Sequence, residues 1–229
     1  MKKEYFAVLL VITLALPVLA MGSAPQAPAA GPTTIGAPIG RDGTVTFEAI
    51  ADTWIYANQP EQNYGNGLGW KDVTNHDDTS FVPLISVGSS GGEVKIGLLK
   101  FDLSGLDNNR PARSANLLIY NCFAGSDVPL NIEARLITEP WDEDTVTYNN
   151  RPAAKETLST LTLQGVRTFS DPGKWYSFDV TQAVEAWQLG AANNGIMLVP
   201  QGDASVYFEF VCKEAAGAPD RRPKLEITY

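Results

Sequence analysis

The sequence predicts an all-β protein, a sandwich or a barrel, on three observations. Ten segments carry the two-residue apolar alternation of strands, turn-forming clusters separate them, and one stretch alone carries a helical stripe. The strands are expected at Thr44 to Ile55, Phe81 to Val87, Val94 to Leu103, Ala115 to Phe123, Leu130 to Thr138, Thr157 to Leu163, Trp175 to Val180, Gly195 to Pro200, Ser205 to Cys212 and Lys224 to Tyr229. Between them lie Asn66-Gly67, Ser90-Gly91-Gly92, Asp107-Asn108-Asn109, Asp171-Pro172-Gly173 and Asn193-Asn194-Gly195, residues that tolerate the backbone angles of tight turns. The helix is expected at Val180 to Leu189. Asp179 would cap it with Gln182 closing a capping box, Val180, Val184 and Trp187 form its apolar stripe, and Gly190 stops it.

Ahead of the strands, Lys2 and Lys3 precede an apolar run from Tyr5 to Leu16, then Pro17 and the small-residue site ending at Ala20. This is the order of a secretory signal, residues 1–20, and the run is too short to span a bilayer. Cleavage after Ala20 would leave 15 basic and 25 acidic residues, and the region beside that site holds no cysteine to accept a lipid. Residues 21–43 are rich in Ala, Pro and Gly and read as a flexible leader; residues 44–229 then form one domain.

Composition excludes several functions. The full chain has 17 basic and 26 acidic residues, a formal charge of −9, which denies it the broad cationic face that nucleic acid requires. One histidine and two cysteines leave no ordinary zinc site and no Ser-His-Asp set beyond His76, and no glycine-rich phosphate loop opens a helix. Glu139, Asp142, Glu143 and Asp144 are the densest acids, but neighbours on one turn do not flank a common glycosidic bond, so no catalytic residue is nominated. Asp72, Asn75, Asp77 and Asp78 could supply calcium with loop oxygens, although their spacing is not that of an EF-hand and a solvated acidic loop with an exposed His76 is the plainer reading. No other cofactor is implied.

Several motifs then follow in order: Ala51-Asp52-Thr53-Trp54, Asn63-Tyr64-Gly65, Leu98 to Leu103, Ala115 to Tyr120, Trp141 to Asn149 followed by Pro152, Trp175 to Trp187, Asn194 to Leu198, and Pro223 to Tyr229. The ordered set resembles the DNRLRE domain, also classed as carbohydrate-binding module family 96, over nearly all of Ala51 to Tyr229. The literal DNRLRE hexapeptide is absent, and Asn75 to Gly92 looks inserted. The resemblance implies an antiparallel two-sheet β-sandwich of jelly-roll type on a secreted or cell-surface protein. It also implies noncovalent attachment to an extracellular polysaccharide, with alginate among the polymers that family members bind. The alternatives are a structural surface or matrix protein without sugar binding, or a small polysaccharide-active enzyme.

Trp141, Trp175 and Trp187 belong to these motifs and are expected in the core, while Trp54 follows strand parity without settling its role. Tyr64 and Trp70, beside Lys71 in a glycine-rich stretch, are the candidate sugar platform; the competing reading is that Trp70 folds back onto the sandwich. Asp142 and Asp144 are expected to fasten the turn around them through side-chain bonds to the backbone. Cys122 shares a face with Leu118 and Tyr120, and Cys212 with Phe208 and Phe210, so both are expected to point into the core and to form a disulfide between Cys122 and Cys212. The competing reading is two separate buried thiols.

Overall fold

The computed structural model describes residues 43–65, 84–165 and 173–229. Ten strands run in the order β1 (Thr44–Tyr56), β2 (Leu84–Ser90), β3 (Glu93–Phe101), β4 (Ser114–Ala124), β5 (Leu130–Ile137), β6 (Ala154–Leu163), β7 (Lys174–Asp179), β8 (Ile196–Gln201), β9 (Val206–Val211) and β10 (Lys224–Thr228). A helix α1 (Thr181–Gln188) follows β7. All strand pairs are antiparallel, and the fold is an all-β sandwich of jelly-roll type with a single short helix among the described residues. Each expected strand has its counterpart, with ends displaced by a few residues. β6 begins at Ala154 rather than Thr157 because its pairing with β5 continues past two register shifts to reach Ile137.

β1 is the strand that serves both layers. Thr44 to Glu48 pair with β10, whereas Ala49 to Tyr56 pair with β3, and the register shifts between Ala49 and Ala51. The extra residue, Ile50, is left 53% exposed, as a bulge at a sheet corner requires. β4 is the other hub. One edge carries β7, and the opposite edge is shared by β10 along its first half and β9 along its second.

The main core is filled by the inward faces of these strands, with Trp54, Phe101, Phe178, Phe208 and Phe210 fully buried. α1 closes it with Ala183, Val184 and Trp187. Asp179 does hold the helix start, since its Oδ1 accepts the Thr181 N–H at 2.9 Å and the Thr181 hydroxyl at 2.6 Å. The capping box, however, does not form: the N-cap position falls on Val180, which has no side-chain bond to offer, one residue later than expected. At the far end Gly190 takes φ +96°, a left-handed angle that glycine adopts without steric penalty, and its N–H returns to the Trp187 carbonyl.

A second apolar cluster, of Ile55, Ile96, Leu98, Ile137, Val146 and Met197, is covered by Trp141 and Tyr148 from the turn after β5. Asp142 fastens that turn as expected, accepting the Asp144 N–H at 3.0 Å and the Thr145 hydroxyl at 3.3 Å through Oδ1.

The expected disulfide is not formed: Cys122 and Cys212 are both free thiols. The parity argument placed each on the right set of neighbours but treated the two faces as one. Cys212 belongs to the main core with Phe208 and Phe210, whereas Cys122 lies half-buried with Tyr120, Val211 and Ala215 on the other side of β4. Their sulfurs take separate partners, the Glu209 carbonyl for Cys122 at 3.3 Å and Glu214 Oε2 for Cys212 at 3.0 Å. Burial pushes the Cys122 thiol up to about 12 and Cys212 higher still, so neither is a ready nucleophile. Thiol titration should therefore find two reactive groups in unfolded protein that has never met a reductant, with labelling of the folded protein slow at pH 8.

Candidate functional site

The residues expected to bind sugar do not come together on the described surface. Tyr64 is 8% exposed, its ring stacked on Trp54 with centroids 3.8 Å apart and its hydroxyl donating to the Gln59 side chain. Both the face and the hydroxyl are thus already engaged. Trp70 and Lys71 lie outside the described residues, as do Asp72, Asn75, His76, Asp77 and Asp78.

Beside Tyr64, the aromatic side chains enclose a cation instead of facing solvent. The Lys95 ammonium sits 4.8 Å from the Trp54 ring centroid, 5.4 Å from Tyr56 and 4.1 Å from Tyr207. Burial holds that ammonium below its usual range and lifts the Glu209 carboxyl, to which Ser86 donates at 2.9 Å. Tyr56 and Tyr207 both donate to the Glu93 carboxylate, and burial with this contact pushes the Tyr207 phenol up to about 12. These rings pack around the Lys95 ammonium.

An aromatic surface does exist elsewhere, on the outer face of β7, β4 and β10. Along β7, Tyr176 and Phe178 point inward and are buried, which turns Trp175, Ser177 and Asp179 outward. On β4 the same alternation buries Leu117 and Ile119 in the core and sends Leu118 and Tyr120 to the outer face, where Tyr120 is covered to 8% exposure by its packing with Val211 and Ala215. Pairing then sets Trp175 opposite Tyr120, Ser177 opposite Leu118, and Lys224 opposite Leu118 on the other edge.

The result is an edge-to-face pair, Trp175 and Tyr120, with centroids 5.3 Å apart at 74°. Trp175 is 39% exposed, the most exposed aromatic side chain among the described residues. The motif-based expectation that it lies in the core is corrected: its strand neighbours Tyr176 and Phe178 occupy the inward positions. Trp187 is in the core as expected, and Trp141 is half-buried, its Nε1–H donating to the Asn194 carbonyl at 2.7 Å.

Positive charge edges this aromatic pair. Lys224 Nζ lies 5.5 Å from the Trp175 ring centroid and the Arg221 guanidinium 4.9 Å from that of Tyr120. Lys174 precedes Trp175 but turns to the opposite face of β7, its ammonium 5.0 Å from the Tyr176 ring centroid. Arg221 is placed by the 3-10 turn Pro219–Arg221 that leads into β10, and Lys224 is held by donating to the Asp220 carbonyl at 3.0 Å. Gly173 lets the chain enter β7 directly over Tyr120, because a Cβ there would fall 2.3 Å from the Tyr120 ring and 2.5 Å from the Asn121 carbonyl oxygen. Gly173→Ala should accordingly lower stability by about 1–3 kcal/mol, as overpacking does, which a urea melt would detect. Chemically, the surface offers an apolar ring face to a pyranose and cations to acidic substituents.

The Carbohydrate-binding module family 96 model matches residues 43–229. The chain belongs to this family. Its similarity to individual proteins is distant. The tRNA3(Ser)-specific nuclease WapA of Bacillus spizizenii is 24% identical over 194 residues, and the tRNA nuclease WapA of Bacillus subtilis strain 168 is 23% identical over the same length. Each alignment covers 84% of this chain but 8% of the relative, so the chain corresponds to a small part of those proteins. As a family 96 module it carries the fold its motifs implied, and among its described residues no helix is long and apolar enough to cross a membrane.

The parity of Trp175-Tyr176-Ser177-Phe178-Asp179 was a readable signal for an outward Trp175, since it groups that tryptophan with a serine and an aspartate. Arg221 and Lys224 had no such signal. They reach the platform only through the pairing of β10 with β4.

Proposed function

We propose that this module holds an acidic extracellular polysaccharide noncovalently at the Trp175 surface, without catalysing a reaction on it. The exposed Trp175 ring, edged by Lys224 and, beside Tyr120, by Arg221, is the observation that carries this reading; membership of the carbohydrate-binding family supports it. A chain with a formal charge of −9 repels a polyanion at long range, but at a Debye length of about 8 Å in physiological salt the two local cations decide the contact. The nuclease activity in the names of the Bacillus relatives is not carried over, because the same acidity opposes a nucleic-acid backbone and the alignment covers 8% of those proteins. Export completes the reading: the first 20 residues would be removed after Ala20 and the module delivered outside the cell. Mass spectrometry of protein from the medium or envelope should give an N-terminus at Met21, and an intact Met1 there would refute export with cleavage.

Electrophoresis through gels containing carboxylated, sulfated or neutral polysaccharides tests the binding. Retardation is expected in an acidic polymer and should weaken as salt rises from about 0.05 to 0.5 M, where the Debye length shrinks severalfold. The double variant Arg221→Gln, Lys224→Gln should lose both the retardation and its salt dependence. Retention by neutral polymers alone would overturn the acidic assignment, and absence of retention on every polymer would favour a structural surface protein.

A further inference from the structure

The outer face that carries Trp175 is charged unevenly along its strands. At the Trp175 end stand Lys224 and Arg221, 5.5 and 4.9 Å from the centroids of the two aromatic rings. Further along β7, about 13 Å away at a strand rise of about 3.3 Å per residue, comes Asp179, whose Oδ1 holds the helix start. Asn116 of β4 pairs with Asp179 on one side and with Glu226 of β10 on the other, so this row sets an amide between two carboxylates. Glu226 stands between the buried Leu225 and Ile227, which turns it outward beside Asn116. Glu48 of β1 pairs with Lys224, whose ammonium reaches across β4 toward Trp175 instead. Between the two ends lie Leu118 and Ser177, the latter donating to Asn116 Oδ1 at 3.2 Å. Past the Asn116 row the face opens into a cleft of about 390 Å³, where Asp179 and Glu185 stand against one cation, Arg113, while Ser114 and Gln182 offer neutral polar groups.

We propose that this face selects acidic polysaccharides whose carboxylates are interrupted by neutral sugars, with an acidic unit at the Trp175 end and neutral units across the row of Asp179, Asn116 and Glu226 and into the cleft. The selectivity rests on the Trp175 surface being the polysaccharide site. One pyranose stacked on Trp175 does not reach Asp179, so successive units of a single chain meet the two ends. At about 13 Å those ends also lie beyond the Debye length of about 8 Å, and the cations do not cancel the carboxylates for a bound unit. A chain with a carboxylate on every unit brings one between Asp179 and Glu226, where like charges repel. A neutral unit escapes that repulsion, and its hydroxyls donate to the same carboxylates in charge-assisted bonds. In the cleft the Gln182 amide and the Ser114 hydroxyl suit a further hydroxyl or acetamido group. A wholly neutral chain offers nothing to Lys224 and Arg221, so the face favours the mixture.

The test is affinity electrophoresis of the full mature chain through galacturonan and mannuronan, each unesterified, partly methyl-esterified and fully methyl-esterified. Backbone and stacking surface then stay constant while carboxylates are removed. Retention is expected to peak at partial esterification. Glu226→Gln, at an outward position, should strengthen retention on the unesterified polymers by about 3- to 10-fold and leave it nearly unchanged on the partly esterified ones, which moves the optimum toward higher charge. Glu185→Gln, on the exposed side of α1, reads the same effect at the cleft if the first variant folds poorly. Strongest retention on the unesterified polymers would overturn the selectivity, as would wild-type behaviour in both variants or no retention in either series. Trp175→Ala separates this failure from that of the site itself: if it is retained normally, the site is misplaced and the selectivity falls with it, whereas its loss of retention without a peak in the wild-type series overturns the selectivity alone.

Discussion

Trp175→Ala is expected to abolish retention on the acidic polysaccharide that the wild-type module binds best, with the fold intact. Stacking of a sugar on one aromatic ring is worth about 1–2 kcal/mol by analogy with aromatic pairs and buried apolar area, equivalent to a roughly 5- to 30-fold loss of affinity. A single surface of this kind binds in the micromolar to millimolar range, so such a loss carries it below detection in a gel. The structural cost of the substitution is small because Trp175 is on the outer face. What disappears inside the protein is the edge contact with Tyr120, about 1 kcal/mol, or about 2–4 °C in Tm. Affinity electrophoresis and a thermal melt on the same preparation separate the two effects. Unchanged retention would remove Trp175 from the site, and a collapse in Tm would show that its role is structural.

The strands were legible in the sequence because each half-buried strand writes its two faces as alternating residues, and β4, β5, β7, β9 and β10 all do so. Alternation reports that a strand has two faces without reporting which one the core covers. That gap explains two errors of the same kind. Leu118, Tyr120 and Cys122 are apolar enough to pass for core, yet Tyr120 and Cys122 join a third apolar cluster outside β4, while Cys212 belongs to the main core. Trp175, grouped with motif tryptophans, passed for core although its polar partners Ser177 and Asp179 marked its face as outward.

The chemistry was less legible than the fold for a different reason. Trp175 and Lys224 stand 49 positions apart in the chain and meet at the platform only because β7 and β10 take opposite edges of β4. Asp52 and Glu143 are likewise separated by whole strands. Glu143 stands beside Asp142 and Asp144 in the sequence, but in the fold it turns inward to the Asp52 N–H while Asp142 binds the backbone of its own turn. A cluster of acids in sequence thus splits into a turn-forming residue and a buried one. The pairing of strands, rather than local spacing, decides which side chains become neighbours.

Trp54 makes the opposite case to Trp175, and its replacement should have the largest effect on stability. It is 1% exposed, stacks against Tyr64 at 3.8 Å and lies under the Lys95 ammonium at 4.8 Å. Trp54→Ala removes buried apolar surface, leaves a cavity, and takes away the ring on which Tyr64 rests, for a loss of about 3–5 kcal/mol. Against a total of about 5–15 kcal/mol for a native domain, that is enough to bring a large part of the unfolding transition toward ordinary temperatures. Trp54→Phe should lose much less. Its ring can still stack on Tyr64, and the indole N–H that it removes is buried without a partner, so no hydrogen bond is broken. Urea unfolding of the three proteins gives the ordering directly: wild type first, the phenylalanine variant close behind, and the alanine variant well below both. A loss in the phenylalanine variant as large as in the alanine variant would show that the indole N–H has a partner after all. A negligible loss in the alanine variant would mean that the Trp54–Tyr64 stack is not part of the core.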